Sequence, residues 1–269
     1  MAANIASVKL QSENLQQAAH QFRLNGCLSI EGSFDPQLVR AVQADFLQNY
    51  ASRGREEVER TCLKVGIERY MFTVQLKPPY LDQGLYAAPG VMPLVRALLG
   101  EDCIIQSFGV VCAYPGAQMQ HVHRDHPPLF AEAGGLNAFF PPFALHVVVP
   151  LVDLDENTGT TALWEGSHRL KSTREENRWN KAELERLEGA VLPMPKIGDC
   201  YLMDYRLRHT GTPNISEHPR PILYMVYSRR WFLDRRNFEI QSPLKINQEN
   251  YDRIPARHKS LFEIARPVN

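Results

Sequence analysis

The segment 121–126 (HVHRDH) places three histidines and one aspartate within six residues, directly after a predicted strand and a Pro-Gly turn. Side chains alternate between the two faces of an extended chain, so His121, His123 and Asp125 are expected on the same side. A histidine and a carboxylate on one side can take neighbouring positions on one metal ion. With a second histidine they form the set that binds Fe(II) and leaves coordination positions open. Taken alone, the spacing is also that of a solvated turn with local hydrogen bonds.

A later histidine and an arginine follow each other along the chain as a binding site for a keto acid requires. His209 follows the predicted strand 200–205, and Arg220 opens the next predicted strand. His209 completes the ligand set with His123 and Asp125, and a guanidinium pairs bidentately with a carboxylate. These residues predict an iron site that uses 2-oxoglutarate as co-substrate, with Arg220 on the carboxylate far from the metal.

Several short motifs accompany these residues. They are Pro150-Leu151-Val152-Asp153, Asn157-Thr158-Gly159, Gly166-Ser167-His168-Arg169, Gly198-Asp199 and His209-Thr210-Gly211 followed by Asn214. With them, the chain resembles the phytanoyl-CoA dioxygenase family of Fe(II)- and 2-oxoglutarate-dependent oxygenases. The resemblance runs from His123 to Arg220.

The resemblance implies a mainly β fold, the double-stranded β-helix (a cupin-like jelly roll), with a helical N-terminal layer. It implies that His123, Asp125 and His209 hold Fe(II) as the catalytic centre and that Arg220 binds 2-oxoglutarate. The implied partners are O₂ and a small or medium organic substrate, which in the family ranges from acyl-CoA thioesters to secondary metabolites. Hydroxylation with release of succinate and CO₂ is the expected reaction, with desaturation and ring formation as related outcomes.

Other polar residues near the motif are expected to contact the bound groups. Gln106 and Ser107 lie on the predicted strand before the motif, where relatives place a polar contact to 2-oxoglutarate; a plain strand surface is the alternative. Relatives often carry glutamine two residues before the first metal histidine, where this chain has His121. We expect His121 to hydrogen-bond to co-substrate or substrate, or to support the metal ligands. His126 is predicted to be structural or pocket-lining, and His146 to be a core histidine.

Two other functions fit part of the pattern. A cupin-type isomerase or dioxygenase would use a metal without 2-oxoglutarate, but such sites commonly include a glutamate ligand and have no paired arginine. A non-catalytic binding protein on the same fold would be expected to lose a metal ligand, whereas this chain keeps all three. Conversion of 2-oxoglutarate to succinate separates these hypotheses from the oxygenase.

The sequence predicts one domain over residues 1–269, with helical support over roughly 1–103 and a jelly-roll core over roughly 104–235. A helix-like insert is predicted at 181–188. The loop 137–143, rich in Phe and Pro, is predicted to be a lid over an apolar substrate or a dimer contact.

Apolar periodicity places the elements that carry the site. Helices are predicted to begin near Ser12 and Ser33, and a third helix is predicted over 91–99. Short apolar runs between turn signals predict strands at 104–114, 145–151, 161–164, 200–205 and 222–227.

The composition narrows the possible partners and the compartment. Thirty basic residues balance thirty acidic ones, so no net charge attracts the chain to nucleic acid or to an anionic membrane. No apolar run approaches the roughly 18 residues of a membrane span, and no signal peptide is recognisable. Five cysteines without a CxxC pair indicate reduced thiols, so a cytoplasmic monomer or homodimer is expected.

Overall fold

The computed structural model describes residues 5–127, 129–130, 138–170, 187–239 and 244–268. Most of the predicted insert 181–188 and the first residue of the loop 137–143 lie outside these ranges. Across the ranges that are described, none of the helices has the length and apolar character needed to cross a membrane.

The strands of the described residues combine into one large sheet and two small ones. They are β1 Ser7–Val8, β2 Cys27–Ile30, β3 Leu63–Gly66, β4 Arg69–Thr73, β5 Ile104–Ala113, β6 Ala144–Pro150, β7 Thr161–Leu163, β8 Cys200–Asp204, β9 His209–Gly211, β10 Arg220–Ser228, β11 Lys245–Asn247 and β12 Arg266–Val268. The large sheet has eight strands in the order β1-β2-β8-β6-β10-β5-β4-β3. Its neighbouring strands are antiparallel except β1 and β2.

Strand β10 in the middle of this sheet shows why both faces are apolar. Leu223 and Met225 belong to the core on the helical side of the sheet. Ile222, Tyr224 and Val226 alternate with them and line a cavity on the opposite face. Because the side-chain period of a strand is two, this register decides which residues reach the cavity.

Helices cover the first of these faces. They are α1 Leu15–Asn25, α2 Pro36–Phe46, α3 Arg55–Thr61, α4 Gln83–Tyr86, α5 Met92–Leu99 and α6 Gln248–Asp252. Helix α2 begins after Asp35, whose side chain accepts a hydrogen bond from the Gln37 amide at 2.9 Å, as an N-cap residue does. Its buried residues Val39, Val42 and Phe46 follow at helical spacing and join the core against the large sheet. The N-cap is therefore Asp35, two residues after Ser33, where the sequence predicted the helix to begin.

A smaller sheet lies across the cavity. It contains β7 and β9, and a single antiparallel bridge between His123 and His209 adds the motif segment to it. Residues of both sheets enclose a cavity of about 330 Å³. Two sheets around such a cavity, with helices on the outer face, form a jelly roll of the double-stranded β-helix type with a helical layer, which confirms the predicted fold class.

The first 103 residues contribute more than a helical layer, because β1 to β4 belong to the large sheet. In β4, Tyr70 and Phe72 are buried in the helix-side core. Arg69 and Met71 alternate with them and line the cavity. A charged residue on the inner face interrupts the apolar pattern, which explains why the sequence did not predict this strand.

Candidate active site

Two backbone hydrogen bonds bring the two candidate metal histidines face to face. The His123 amide donates to the His209 carbonyl at 3.0 Å, and the His209 amide donates to the His123 carbonyl at 3.0 Å. Residues that are directly opposite in an antiparallel pair place their side chains side by side. The two imidazole rings accordingly lie with centroids 4.2 Å apart.

A carbonyl two residues earlier orients each ring. The His123 Nδ1 donates to the His121 carbonyl at 2.9 Å, and the His209 Nδ1 donates to the Leu207 carbonyl at 3.0 Å. A carbonyl can only accept, so the proton of each neutral ring lies on Nδ1 and the lone pair on Nε2. Such hydrogen bonds are the usual way in which a metal-binding histidine is oriented.

Asp125 completes the cluster. Its Oδ1 lies 3.8 Å from the His123 Nε2, and its Oδ2 lies 3.6 Å from the His209 Nε2. One potential ligand atom from each of the three side chains lies within 4.8 Å of the others. The three residues that the sequence analysis selected as metal ligands are therefore brought together.

The protonation of the cluster suits a divalent cation. Burial, together with the neighbouring His209, lowers the pKa of His123 to about 4, so its imidazole is neutral. Burial by itself raises the pKa of Asp125, but the rings of His209 and His146 outweigh burial and hold it well below its usual range. A neutral imidazole and an ionised carboxylate are the forms that bind a metal.

Arg220 is fully buried at the start of β10. Its Nε, Nη1 and Nη2 atoms make no hydrogen bond to any residue that the structure describes. Burial lowers the pKa of Arg220, since a charge without a partner is costly away from water. This guanidinium is suited to an anionic ligand.

A second buried arginine, Arg69, stands beside it and was missed by the sequence analysis. Arg69 on β4 and Arg220 on β10 both pair with Ala113 of β5, so they lie on the same face of the sheet. Arg69 is 1% exposed and lines the cavity. Its Nη2 donates to the Thr212 carbonyl at 2.7 Å, but its Nε has no partner among the described residues. Burial and the neighbouring Arg220 lower its pKa to about 9.

Small and polar residues form the cavity wall near Arg69. The Gln120 Oε1 accepts a hydrogen bond from the Gly211 amide at 3.1 Å, and the Tyr201 hydroxyl donates to the Thr161 Oγ1 at 2.8 Å. A Cβ at residue 211 would meet the Arg69 Nη1 and the Gln120 Oε1, so the ends of these two side chains would have to move to admit any residue larger than glycine. The glutamine of this site lies three residues before His123, one position earlier than the expected place that His121 occupies.

Gln106 is not brought to the cavity. Its Nε2 donates to the Ser228 Oγ at 2.8 Å and to the Phe232 carbonyl at 2.6 Å. Its Oε1 accepts from the Asp234 amide at 3.3 Å. These bonds tie the segment after β10 to the sheet, and Gln106 does not line the cavity that contains the cluster.

Ser107 lies on the cavity face of β5 but does not line the cavity. Its side chain hydrogen-bonds to that of Tyr224, which does line the cavity. This arrangement depends on Gly109, because a Cβ there would lie 2.7 Å from the Tyr224 hydroxyl. Tyr224 rather than Ser107 is thus the residue that the cavity presents at this point.

The remaining histidines near the motif differ in position. His121 is exposed and lines the cavity, with its ring 5.0 Å from that of His123. His126 packs against Phe143 and Phe232, as expected for a structural residue. His146, which was predicted to be a core histidine, is partly buried on the cavity wall, and its Nε2 lies 2.8 Å from the Asp125 Oδ2.

The choice among the clustered histidines can be tested by metal retention. We expect His123→Ala to lose the metal, because it removes one of three ligand atoms. We expect His126→Ala to retain it, because the His126 ring packs on aromatic side chains. Metal content after dialysis, measured by atomic emission, checks both results. Loss of metal in His126→Ala alone would mean that the ligand assignment is shifted.

The chain is similar to known proteins. The family model "Phytanoyl-CoA dioxygenase (PhyH)" matches residues 22–222. Dioxygenase af480 of Aspergillus fumigatus is 26% identical over 177 residues, which are 63% of this chain and 53% of that protein. The match therefore spans about half the length of that curated relative. Dioxygenase trt7 of Aspergillus terreus is 23% identical over 250 residues, which are 85% of this chain and 81% of that protein.

Solved structures share the fold. The non-heme alpha-ketoglutarate-dependent epimerase SnoN from nogalamycin biosynthesis matches with a TM-score of 0.60 and 20% identity, over 81% of this chain and 84% of that chain. EctD from S. alaskensis, in its apo form, matches with a TM-score of 0.58 and 20% identity, over 85% of this chain and 83% of that chain. EvdMO1 matches with a TM-score of 0.60 and 19% identity, over 81% of this chain and 50% of that chain.

Proposed function

Because the chain belongs to the phytanoyl-CoA dioxygenase family, we propose that it is an Fe(II)- and 2-oxoglutarate-dependent dioxygenase that hydroxylates a small or medium organic molecule. The observation that carries this proposal is the occurrence of a His-Asp-His cluster beside two buried arginines, Arg69 and Arg220, with guanidinium atoms that find no hydrogen-bond partner in the described part of the chain. A cupin-type enzyme that does not use 2-oxoglutarate has no need of such arginines.

The residues of the cluster fit Fe(II). His123, Asp125 and His209 would hold it through two imidazole nitrogens and one carboxylate, the ligand set that non-haem Fe(II) oxygenases use. When bound, the iron and 2-oxoglutarate supply the oxidising chemistry, in which O₂ is consumed and 2-oxoglutarate is converted to succinate and CO₂. The residues around the cluster orient the ligands and keep bulk water away.

The cavity wall at Arg69, which shares a face of the sheet with Arg220, fits a carboxylate. Arg220 supplies a guanidinium without a hydrogen-bond partner among the described residues, and Arg69 supplies a second cation whose Nη2 is already fixed by the Thr212 carbonyl. A carboxylate held there would cancel charge that is otherwise costly to bury. Thr161 and Tyr201 provide hydroxyl groups on the same wall. We therefore assign the far carboxylate of 2-oxoglutarate to Arg220 and Arg69 together.

The rest of the cavity indicates the character of the substrate. Its volume of about 330 Å³ is at the small end of the roughly 300–1,000 Å³ that is usual for ligand pockets. Leu63, Val65, Met71 and Val226 give it an apolar wall, and Asn237 adds an amide. A mostly apolar secondary metabolite fits this surface, and one similar structure comes from nogalamycin biosynthesis. The five free cysteines support the further proposal of a cytoplasmic enzyme.

The test is conversion of 2-oxoglutarate without a known substrate. We expect purified protein with Fe(II) and O₂ to form succinate slowly, and omission of Fe(II) to stop the reaction. A mass-spectrometric screen of apolar compounds should then find those that accelerate succinate formation and gain one oxygen atom. Absence of succinate from protein that binds Fe(II) would favour the cupin-type enzyme instead.

A further inference from the structure

We propose that His146 is a positioning residue for the metal site, which holds Asp125 so that a single carboxylate oxygen is presented to the metal. This inference rests on the proposed function and adds a residue that the ligand set does not include. Its basis is the hydrogen bond between the His146 Nε2 and the Asp125 Oδ2, at 2.8 Å.

The position of His146 on the sheet brings it to the carboxylate. It lies in β6 opposite Met203 of β8 and Val226 of β10, and it shares the cavity face with them. The rings of Tyr205 and Tyr224 lie 5.1 and 6.2 Å from its ring. These neighbours restrict the imidazole, so Nε2 points at Asp125.

The backbone of Asp125 is held as well. The Asn237 Nδ2 donates to the Asp125 carbonyl at 3.1 Å and to the Asp234 Oδ2 at 2.6 Å. The Tyr205 hydroxyl also donates to the Asp234 Oδ2, at 2.5 Å. Asp125 is therefore fixed at its main chain by the segment after β10 and at its carboxylate by β6.

The hydrogen bond from His146 to the Asp125 carboxylate affects how many coordination positions of the metal stay open. Asp125 can only accept a hydrogen bond, so His146 must carry its proton on Nε2. The Oδ2 lone pair that accepts this hydrogen bond is then less available to a metal. Oδ1 is the oxygen that remains free to bind it. A carboxylate that binds through both oxygens would occupy a position that co-substrate or O₂ needs, because the three-residue ligand set works by leaving positions open.

The experiment compares three variants with the wild type. His146→Leu removes the donor and keeps an apolar side chain, His146→Gln restores an N–H at similar reach, and His126→Leu is the control for a neighbouring histidine that packs on aromatic rings. Fe(II) dissociation constants of the metal-free proteins are measured by anaerobic titration, with melting temperatures to confirm folding. Positioning partners of metal ligands typically change metal affinity about 10- to 100-fold, and we expect a loss of this size in His146→Leu.

We expect His146→Gln to recover most of the Fe(II) affinity and His126→Leu to keep it, which a purely structural role of His146 would not produce. Fe(II) affinity in His146→Leu equal to that of the wild type, or a folded His146→Gln as weak as His146→Leu, would overturn the inference while leaving the proposed function intact. Wild-type protein that binds no Fe(II) would overturn both.

Discussion

Asp125→Ala and His209→Ala are each expected to abolish the visible absorption band that anaerobic protein should show with Fe(II) and 2-oxoglutarate. The band requires the keto acid and the metal to be bound together. Each substitution removes one of the three ligand atoms that lie within 4.8 Å of one another, and the remaining pair leaves the metal weakly held. The measurement is a visible spectrum of the reconstituted protein under argon.

Matched controls separate this effect from general damage. His218 and Asp102 are exposed and do not line the cavity, so His218→Ala and Asp102→Ala should keep the full band. Melting temperatures of Asp125→Ala and His209→Ala check that each of them is folded. A band of wild-type strength in Asp125→Ala or His209→Ala would refute the assignment of that residue as a ligand.

Arg220→Ala is expected to weaken 2-oxoglutarate binding while Fe(II) affinity changes little. Truncating one side of a buried, hydrogen-bonded ion pair costs about 2–5 kcal/mol, which raises the apparent dissociation constant about thirty-fold to several thousand-fold. Arg220→Lys should recover only part of the loss, because an ammonium group cannot form the two parallel hydrogen bonds of a guanidinium. Titration of the absorption band with 2-oxoglutarate gives the constants.

Arg69 provides the comparison for this prediction. Its Nη2 is already engaged by backbone carbonyls, so Arg69→Met should weaken 2-oxoglutarate binding less than Arg220→Ala does. The exposed Arg236 is a suitable control. If Arg220→Ala bound 2-oxoglutarate like the wild type and Arg69→Met did not, Arg69 would be the main anchor.

The stability of the ligand-free protein offers an independent check on the same arginine. Arg220 is fully buried without a hydrogen-bond partner among the described residues, and burial disfavours its charge. Arg220→Met should therefore melt no lower than the wild type in the absence of 2-oxoglutarate. Added 2-oxoglutarate should raise the melting temperature of the wild type but not that of Arg220→Met, because a ligand stabilises only a folded state that binds it.

The sequence alone was sufficient to select the cluster and the type of fold. The HxD spacing, a later histidine before a strand, and Arg220 at the start of the next strand are local patterns. Local alternation decides which side chains share a face, and His123, Asp125 and His209 do come together. The apolar runs likewise predicted β5, β6, β8 and β10, because strands buried on both faces read as continuous apolar segments.

Only the tertiary structure decided which distant residues complete the site. Arg69 enters it because β4 pairs with β5 in a register that sets Arg69 and Arg220 opposite the same alanine. His146 reaches Asp125 because β6 lies beside β10, whereas Gln106 is turned to the segment after β10. Strand order and register are properties of pairing between remote segments, and a one-residue shift would send each of these side chains to the other face. The spacing of residues along the chain does not determine that pairing.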